Sequence, residues 1–223
     1  MKKILLVGNA ITAEILYEYL KTDPRYEVVA SVVDAPFLAG NLLTEIPCIE
    51  SMNVRSLHPP GNFSIIMAVG YDNLNRTRET LFRTFKDFGY SIETYVHPDA
   101  RVYTQHPLGE GSVVLPNAVV EPHVVLGANS LVWCNATLAH HSRVEDHCWI
   151  ASGAVLSGQA TVKRNTFVGV NATIVNKVVV GEYNIVGGGA FITKNTEDNA
   201  VYLARSAEKT RFSSADYIKY FGV

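Results

Sequence analysis

The sequence predicts two joined architectures: an α/β, Rossmann-like domain over residues 1–97, and an all-β, left-handed parallel β-helix with a C-terminal tail over residues 98–223. Two observations carry this. Short aliphatic runs alternate with helix-spaced segments in the first half, and from Leu108 to Ile192 every sixth residue is Leu, Ile or Val, fifteen in succession without an insertion.

In the first half, Ile4-Leu5-Leu6-Val7 reads as a buried strand that stops at Gly8-Asn9-Ala10. Over residues 11–21 the side chains of Ile11, Ile15, Leu16 and Leu20 fall on one helical face. Residues 28–33 read as a second strand ending at Asp34, and residues 65–69 as a third ending at Gly70-Tyr71. A helix is expected over about residues 74–88, with a short strand near residues 92–96. Strands alternating with helices imply a small parallel sheet with right-handed crossovers.

The second half follows a different rule. Four residues after each aliphatic of the series, the chain is small or β-branched in fourteen of fifteen cases, with Asn184 the exception. Three residues after each, nine of fifteen are Gly or Asn, the types that tolerate the left-handed backbone of a tight corner. A period of six cannot keep one face of an α-helix. It does suit a triangular coil in which each hexad is one short strand plus a corner. Three hexads close an 18-residue coil, and five coils stacked at the strand spacing make a prism on the order of 24 Å tall.

Composition narrows the function. The formal net charge of -2 on 223 residues, with 18% charged residues, points to no nucleic-acid surface. Three widely spaced cysteines (Cys48, Cys134, Cys148) suggest no disulfide framework and fit a reducing, cytoplasmic setting. The apolar run before Gly8 is too short for a signal-peptide core, and no stretch reaches the roughly 20 apolar residues of a membrane span.

Candidate chemistry concentrates in Leu138-Ala139-His140-His141-Ser142-Arg143-Val144-Glu145-Asp146. His140 lies two residues after an inward aliphatic, so its imidazole is expected to point out of the prism. An imidazole that titrates near pH 6.5 suits a general base at neutral pH. His123, His140, His141 and His147 cluster, which raises a zinc site. The histidine spacing of the β-helical carbonic anhydrases is absent, however, and His123, His141 and His147 are more simply corner residues; no metal is expected. In the first half, a single glycine in the Gly8-Asn9-Ala10 loop argues against ordinary NAD binding. Asp34 at the end of the second strand would meet a ribose or base. Gly70, Tyr71 and Asn73 follow the third strand and face the same crevice at the carboxyl ends of the sheet.

The run around His140, with Gly153-Ala154 downstream, resembles the sugar acetyltransferases that include the sialic acid O-acetyltransferases and the bacterial nucleotide-aminosugar N-acetyltransferases. The resemblance covers nearly the whole chain. It implies acetyl-CoA as co-substrate, a nucleotide sugar as acceptor, His140 as general base, and Asp146 at the position of the family's Asp. It implies a homotrimer whose sites lie between subunits. It places coenzyme A along main-chain groups at Gly153, Gly158, Val170 and Gly188, and a nucleotide at Gly8, Asn9 and Ala10. The sequence departs from the family in three places. The acidic residue after the family's His is His141 here, which could orient the imidazole as a hydrogen-bond acceptor. Trp149 replaces a second His that contacts the thioester, and Trp133 replaces a commonly polar residue. The two tryptophans are expected to be neighbours, walling the acceptor pocket or meeting another subunit. The family's C-terminal Gly-x-Pro-Ala-Lys step is reduced to residues 204–209; Lys194, Arg205 and Lys209 could reach the coenzyme's phosphates, with solvated side chains the default reading.

The leading expectation is N-acetylation of a nucleotide-linked deoxyaminosugar for surface-glycan assembly. O-acetylation of a sugar hydroxyl is the second, and a non-catalytic nucleotide-sugar-binding protein is the third.

Overall fold

The computed structural model describes residues 1–222. The first half is a five-stranded parallel sheet built from β1 (Lys2–Val7), β2 (Tyr26–Val33), β3 (Cys48–Glu50), β4 (Ser64–Met67) and β5 (Ser91–Ile92), in the order β3-β2-β1-β4-β5. Helices α1 (Ile11–Lys21), α2 (Val54–Leu57) and α3 (Arg76–Asp87) connect the strands. The strand order reverses between β1 and β4, which is where a crevice opens above their carboxyl ends.

Both longer helices lie where the aliphatic spacing predicted them. The buried face of α1 is Ala13, Leu16, Tyr17 and Leu20, whereas Ile11 is exposed at the start of the helix. The strand expected over residues 65–69 stops at Met67, because the Val69 carbonyl turns to accept a hydrogen bond from Arg78. The strand expected near residues 92–96 is divided: Ser91–Ile92 closes the sheet, and Tyr95–Val96 already pairs with Val113–Val114 in the coil. The short β3 and α2 carried no periodic signal.

The second half is a three-sided parallel coil whose repeat fits the left-handed β-helix. Its first face holds seven two-residue strands, from Tyr95–Val96 through Leu131–Val132 and Trp149–Ile150 to Val201–Tyr202; the second face holds six and the third four. Partners are 18 residues apart, as in Leu131 with Trp149 and Thr137 with Val155. Fourteen of the fifteen inward aliphatics, Val114 to Ile192, are at most 6% exposed; Leu108 is half-buried at the open end. Fourteen successive corners, from Gly111 to Gly189, have positive φ. His123, His141 and His147 are among them, so each occupies a left-handed corner. Asn184, the exception to the small-residue rule, is fully buried; its amide bonds Thr196 and the N–H of Ala200, so its polarity is satisfied. A terminal helix, α4 (Ser214–Phe221), is capped by the Ser213 hydroxyl and carries four exposed large apolar side chains.

The sheet domain sits on the first face. Outward residues Val113, Leu131 and Trp149 join Ile4, Leu6, Leu16 and Leu20 in one apolar cluster. At the edge between the third and first faces, α3 reads a column of corner residues: Asn129, His147 and Asn165. Arg78 is fully buried and donates to the carbonyls of Asn129 (3.1 Å) and Met67 (2.9 Å). Glu79 accepts from Asn165 Nδ2 (2.9 Å), Arg83 (2.5 Å) and Arg164 (3.3 Å). Breaking one partner of such a buried set costs about 3–5 kcal/mol.

His147 sits in this set, with Nδ1 2.9 Å from Asn129 Nδ2 and Nε2 3.8 Å from Glu79. Burial pushes its imidazole below the ordinary histidine range, against the opposing pull of Glu79 and Asp146. The folded state therefore resists a proton that the unfolded chain accepts near pH 6.5, so stability falls as pH drops through that value. Asn tolerates the left-handed corner. We expect His147→Asn to flatten the decline of Tm between about pH 7.5 and about pH 5.5, measured by thermal unfolding against the unmodified chain.

Candidate active site

A crevice in the sheet domain and an edge of the coil hold most of the residues that the sequence singled out. The first is the sheet crevice, a cavity of about 400 Å³ lined by Gly8, Asn9, Ala10, Asp34, Phe37, Ser51, Gly70, Asp72 and residues of α3. Gly8 has a φ of +125°, and a side chain there would meet the Ala68 carbonyl at 2.7 Å, so only glycine fits. Ala10 caps α1 with no side-chain hydrogen bond. The first N–H groups of this 11-residue helix are thus left for a ligand, with the positive end of the helix dipole behind them.

Asp34 is exposed in the crevice and accepts a hydrogen bond from Ser51 Oγ at 2.5 Å. Asn9 is nearly buried, and its amide donates to the Phe37 carbonyl at 2.7 Å, which ties down the 3₁₀ segment Ala35–Gly40 beside the cavity. Its side chain is therefore engaged within the protein. Tyr71 and Asn73, expected in this crevice, are outside its lining. Tyr71 leans onto the first face of the coil, with ring centres 5.1 Å from Trp149 and 4.6 Å from Phe167. Asn73 opens a run of three residues at positive φ, Asn73-Leu74-Asn75, that leads into α3. Each costs on the order of 1–3 kcal/mol, and the run is held where Asn165 Nδ2 reaches the Leu74 carbonyl at 3.4 Å.

The second location is the edge between the second and third faces, where His140 is exposed. Its Nδ1 lies 3.2 Å from His141 Nδ1, and the rings meet edge to face. His141 in turn stacks over His123 with ring centres 4.5 Å apart. With His140 Nδ1 as donor and His141 Nδ1 as acceptor, the tautomer leaves His140 Nε2 with a free lone pair. Gly158, one coil above, carries the imidazole: a Cβ there would lie 2.6 Å from His140 Cε1 and Nε2. The N–H of Gly158 has no backbone partner among the described residues.

Asp146 does not reach this imidazole. It lies one edge further round the coil, where Oδ1 accepts the N–H of Ala128 at 2.7 Å. The carboxylate beside His140 is Glu121, whose Oε2 accepts the His140 N–H at 2.7 Å. No local spacing marks Glu121, because its 19-residue separation from His140 has meaning only within the 18-residue coil.

Gly153, Val170 and Gly188 line the edge between the first and second faces. Val170 and Gly188 sit on neighbouring coils, the Gly189 N–H bonding the Val170 carbonyl. The expected coenzyme residues therefore flank the second face, with His140 and Gly158 along its other edge. Trp149 is a correction. It is 4% exposed and packs on Trp133 at 5.3 Å, under the sheet domain, so it faces neither a coenzyme groove nor another subunit. Its outward position on the first face put it beneath Tyr71. Lys194, Arg205 and Lys209 are all exposed. No group of three or more His, Cys, Asp or Glu is arranged to hold a metal among the described residues.

An 18-residue coil of three hexads that carries a parallel-sheet domain, matched at 25% identity by a solved acetyltransferase domain, defines the class: the chain is an acyltransferase. Among solved structures it is similar to the acetyltransferase domain of PglB from Neisseria gonorrhoeae. The two share 25% identity over 90% of this chain and 96% of that one, with a TM-score of 0.78, and that domain is also solved in complex with acetyl coenzyme A. In fold it is also similar to a perosamine N-acetyltransferase from Caulobacter crescentus in complex with CoA and GDP-perosamine (24% identity, 90% and 93% covered, TM-score 0.81). A third structure similar in fold is WeeI from Acinetobacter baumannii (19%, 90% and 96%, 0.69). No protein-family model and no curated protein matches the chain.

The contact between Gly158 and the imidazole gives a direct test. Gly158→Ala places a methyl group where the ring lies, and an exposed side chain can swing aside. We expect the His140 ring resonances to shift in NMR spectra, while Tm changes by less than about 2 °C.

Proposed function

We propose that this chain transfers an acetyl group from acetyl-CoA to the amine of a nucleotide-linked deoxyaminosugar. The observation that carries the reading is the exposed His140 imidazole, with Nδ1 engaged by His141 and Nε2 open, lying against Gly158. The neutral amine attacks the thioester carbonyl. The C–N bond forms, and His140 Nε2 takes the proton that the nitrogen loses. The C–S bond then breaks, and the imidazolium returns a proton to the departing thiolate. The N–H of Gly158, which has no backbone partner among the described residues, would donate a hydrogen bond to the tetrahedral oxygen. Hydrogen bonding to His141 sets the tautomer, a duty that a carboxylate serves elsewhere.

The Rossmann-like crevice is the proposed seat of the nucleotide. Its phosphates would meet the uncapped start of α1, and its ribose or base would meet Asp34. The crevice belongs to a domain that covers the first face, whereas His140 lies on the edge opposite that face. The proposed working unit is therefore a homotrimer in which the sugar from one chain's crevice reaches the His140 of another. We place this chemistry in the cytosol, where activated sugars for surface glycans are built. No helix among the described residues is long and apolar enough to cross a membrane.

Thiol release from acetyl-CoA with a panel of nucleotide sugars tests the reaction. Turnover is expected with amino sugars only, and His140→Ala should lower it at least ~100-fold. Undiminished release in that variant would remove His140 from the mechanism, and turnover with hydroxyl acceptors only would move the reaction to O-acetylation. The trimer has its own test, co-expression of His140→Ala with Asp34→Lys, each inactive alone. Sites shared between chains should restore about a quarter of wild-type activity by random assembly, whereas sites confined to one chain should restore none.

A further inference from the structure

We infer that Glu121 is a positioning residue for His140, supplying from the coil below the negative charge that the neighbouring His141 cannot. The inference rests on the reading of His140 as the general base. Glu121 follows the inward Val120 on the second face, and its own N–H bonds the Leu138 carbonyl, so its backbone is fixed beside the His140 corner. Its Oε2 accepts the backbone N–H of His140 at 2.7 Å, so the carboxylate stands at the root of the imidazole and not on its ring, and its Oε1 has no hydrogen-bond partner among the described residues.

The groups packed at this edge are Glu121, His123 and His141 below and beside the ring, Arg143 on the following strand, and Lys177, whose N–H bonds the Gly158 carbonyl. Glu121 is the only carboxylate among them. A proton gained by His140 therefore meets two neutral or cationic imidazoles, two solvated cations and one anion. The anion is what favours imidazolium over imidazole.

The bland alternative is that Glu121 only closes a corner. Glu145 does that one face further round, where Oε2 accepts the N–H of Arg164 at 3.1 Å with the same 19-residue separation. The two glutamates thus form a matched pair, one beside His140 and one beside no candidate base. Gln keeps an oxygen to accept the N–H and removes the charge.

Glu121→Gln is expected to lower kcat about three- to tenfold, with little change in KM for acetyl-CoA. It should also move the acid limb of the kcat/KM profile to lower pH, while Glu145→Gln leaves both unchanged. An NMR titration of the His140 ring, which needs no turnover, should show its midpoint moving the same way in Glu121→Gln. A midpoint and rate in Glu121→Gln that match the unmodified chain would overturn the inference, whether or not Glu121→Ala is impaired. A shifted midpoint in a chain that transfers no acetyl group would keep the positioning role and sink the general-base reading instead.

Discussion

A left-handed corner every six residues is the constraint on which the rest of this molecule stands. Each corner turns the chain through one vertex of the prism, and fourteen in succession do so at positive φ. Glycine occupies few of them; most are Asn, His, Gln, Lys or Tyr. For L-residues this conformation costs on the order of 1–2 kcal/mol, so it persists because the stacked coils impose it. The return is a core in which inward aliphatics stand directly above one another, and the position four residues after each is small or β-branched except at Asn184. The period also sets what can lie beside what. Residues 18 apart stack, which puts His141 over His123 and Gly158 against His140.

The same geometry separates the sheet crevice from the His140 edge. Three faces leave each edge opposite one face, and the sheet domain takes the face opposite His140. Docking there combines an apolar patch with the buried Arg78 and Glu79, which bond corner residues directly. A buried cation held by three carbonyls tolerates few alternative orientations, because each displaced contact leaves a polar group unpaired. Arg78 also bonds the carbonyls of Met67 and Val69, at the carboxyl end of β4. The wall of the sheet crevice and the attachment to the coil therefore share one side chain.

Around His140 the chain uses unusual parts. The His141 imidazole follows His140 and meets its ring, and the Glu121 carboxylate accepts the His140 backbone N–H from the coil below. A neutral imidazole can accept one hydrogen bond and fix a tautomer, but contributes little to stabilising a neighbouring cation. Division of orientation and charge between two residues on different coils is possible because the β-helix brings residues 19 apart into contact as readily as residues adjacent in sequence. Trp149 shows the converse. It stands nine residues after His140, yet it lies on another face, under Tyr71, with no route to the imidazole.

The coil was legible in the chain itself, because a period of six in aliphatic, corner and small positions has one physical solution; Asn184 breaks the rule and is accommodated by its own hydrogen bonds. The alternating strands and helices of the first half were legible for the same reason, as were Gly8, Ala10, Asp34 and Gly70 at the carboxyl ends of strands. Contacts set by docking were not. Local pattern reports which way a side chain points from its own element, and says nothing of what another element lays over it. Tyr71 and Asn73 leave the crevice, Trp149 is buried and Asp146 serves Ala128, each because of a neighbour distant in sequence. Glu121 became visible only when the coil had brought it against His140. Hydrophobic periodicity determined the architecture, while the electrostatics of the site were decided by stacking and docking, which no local spacing encodes.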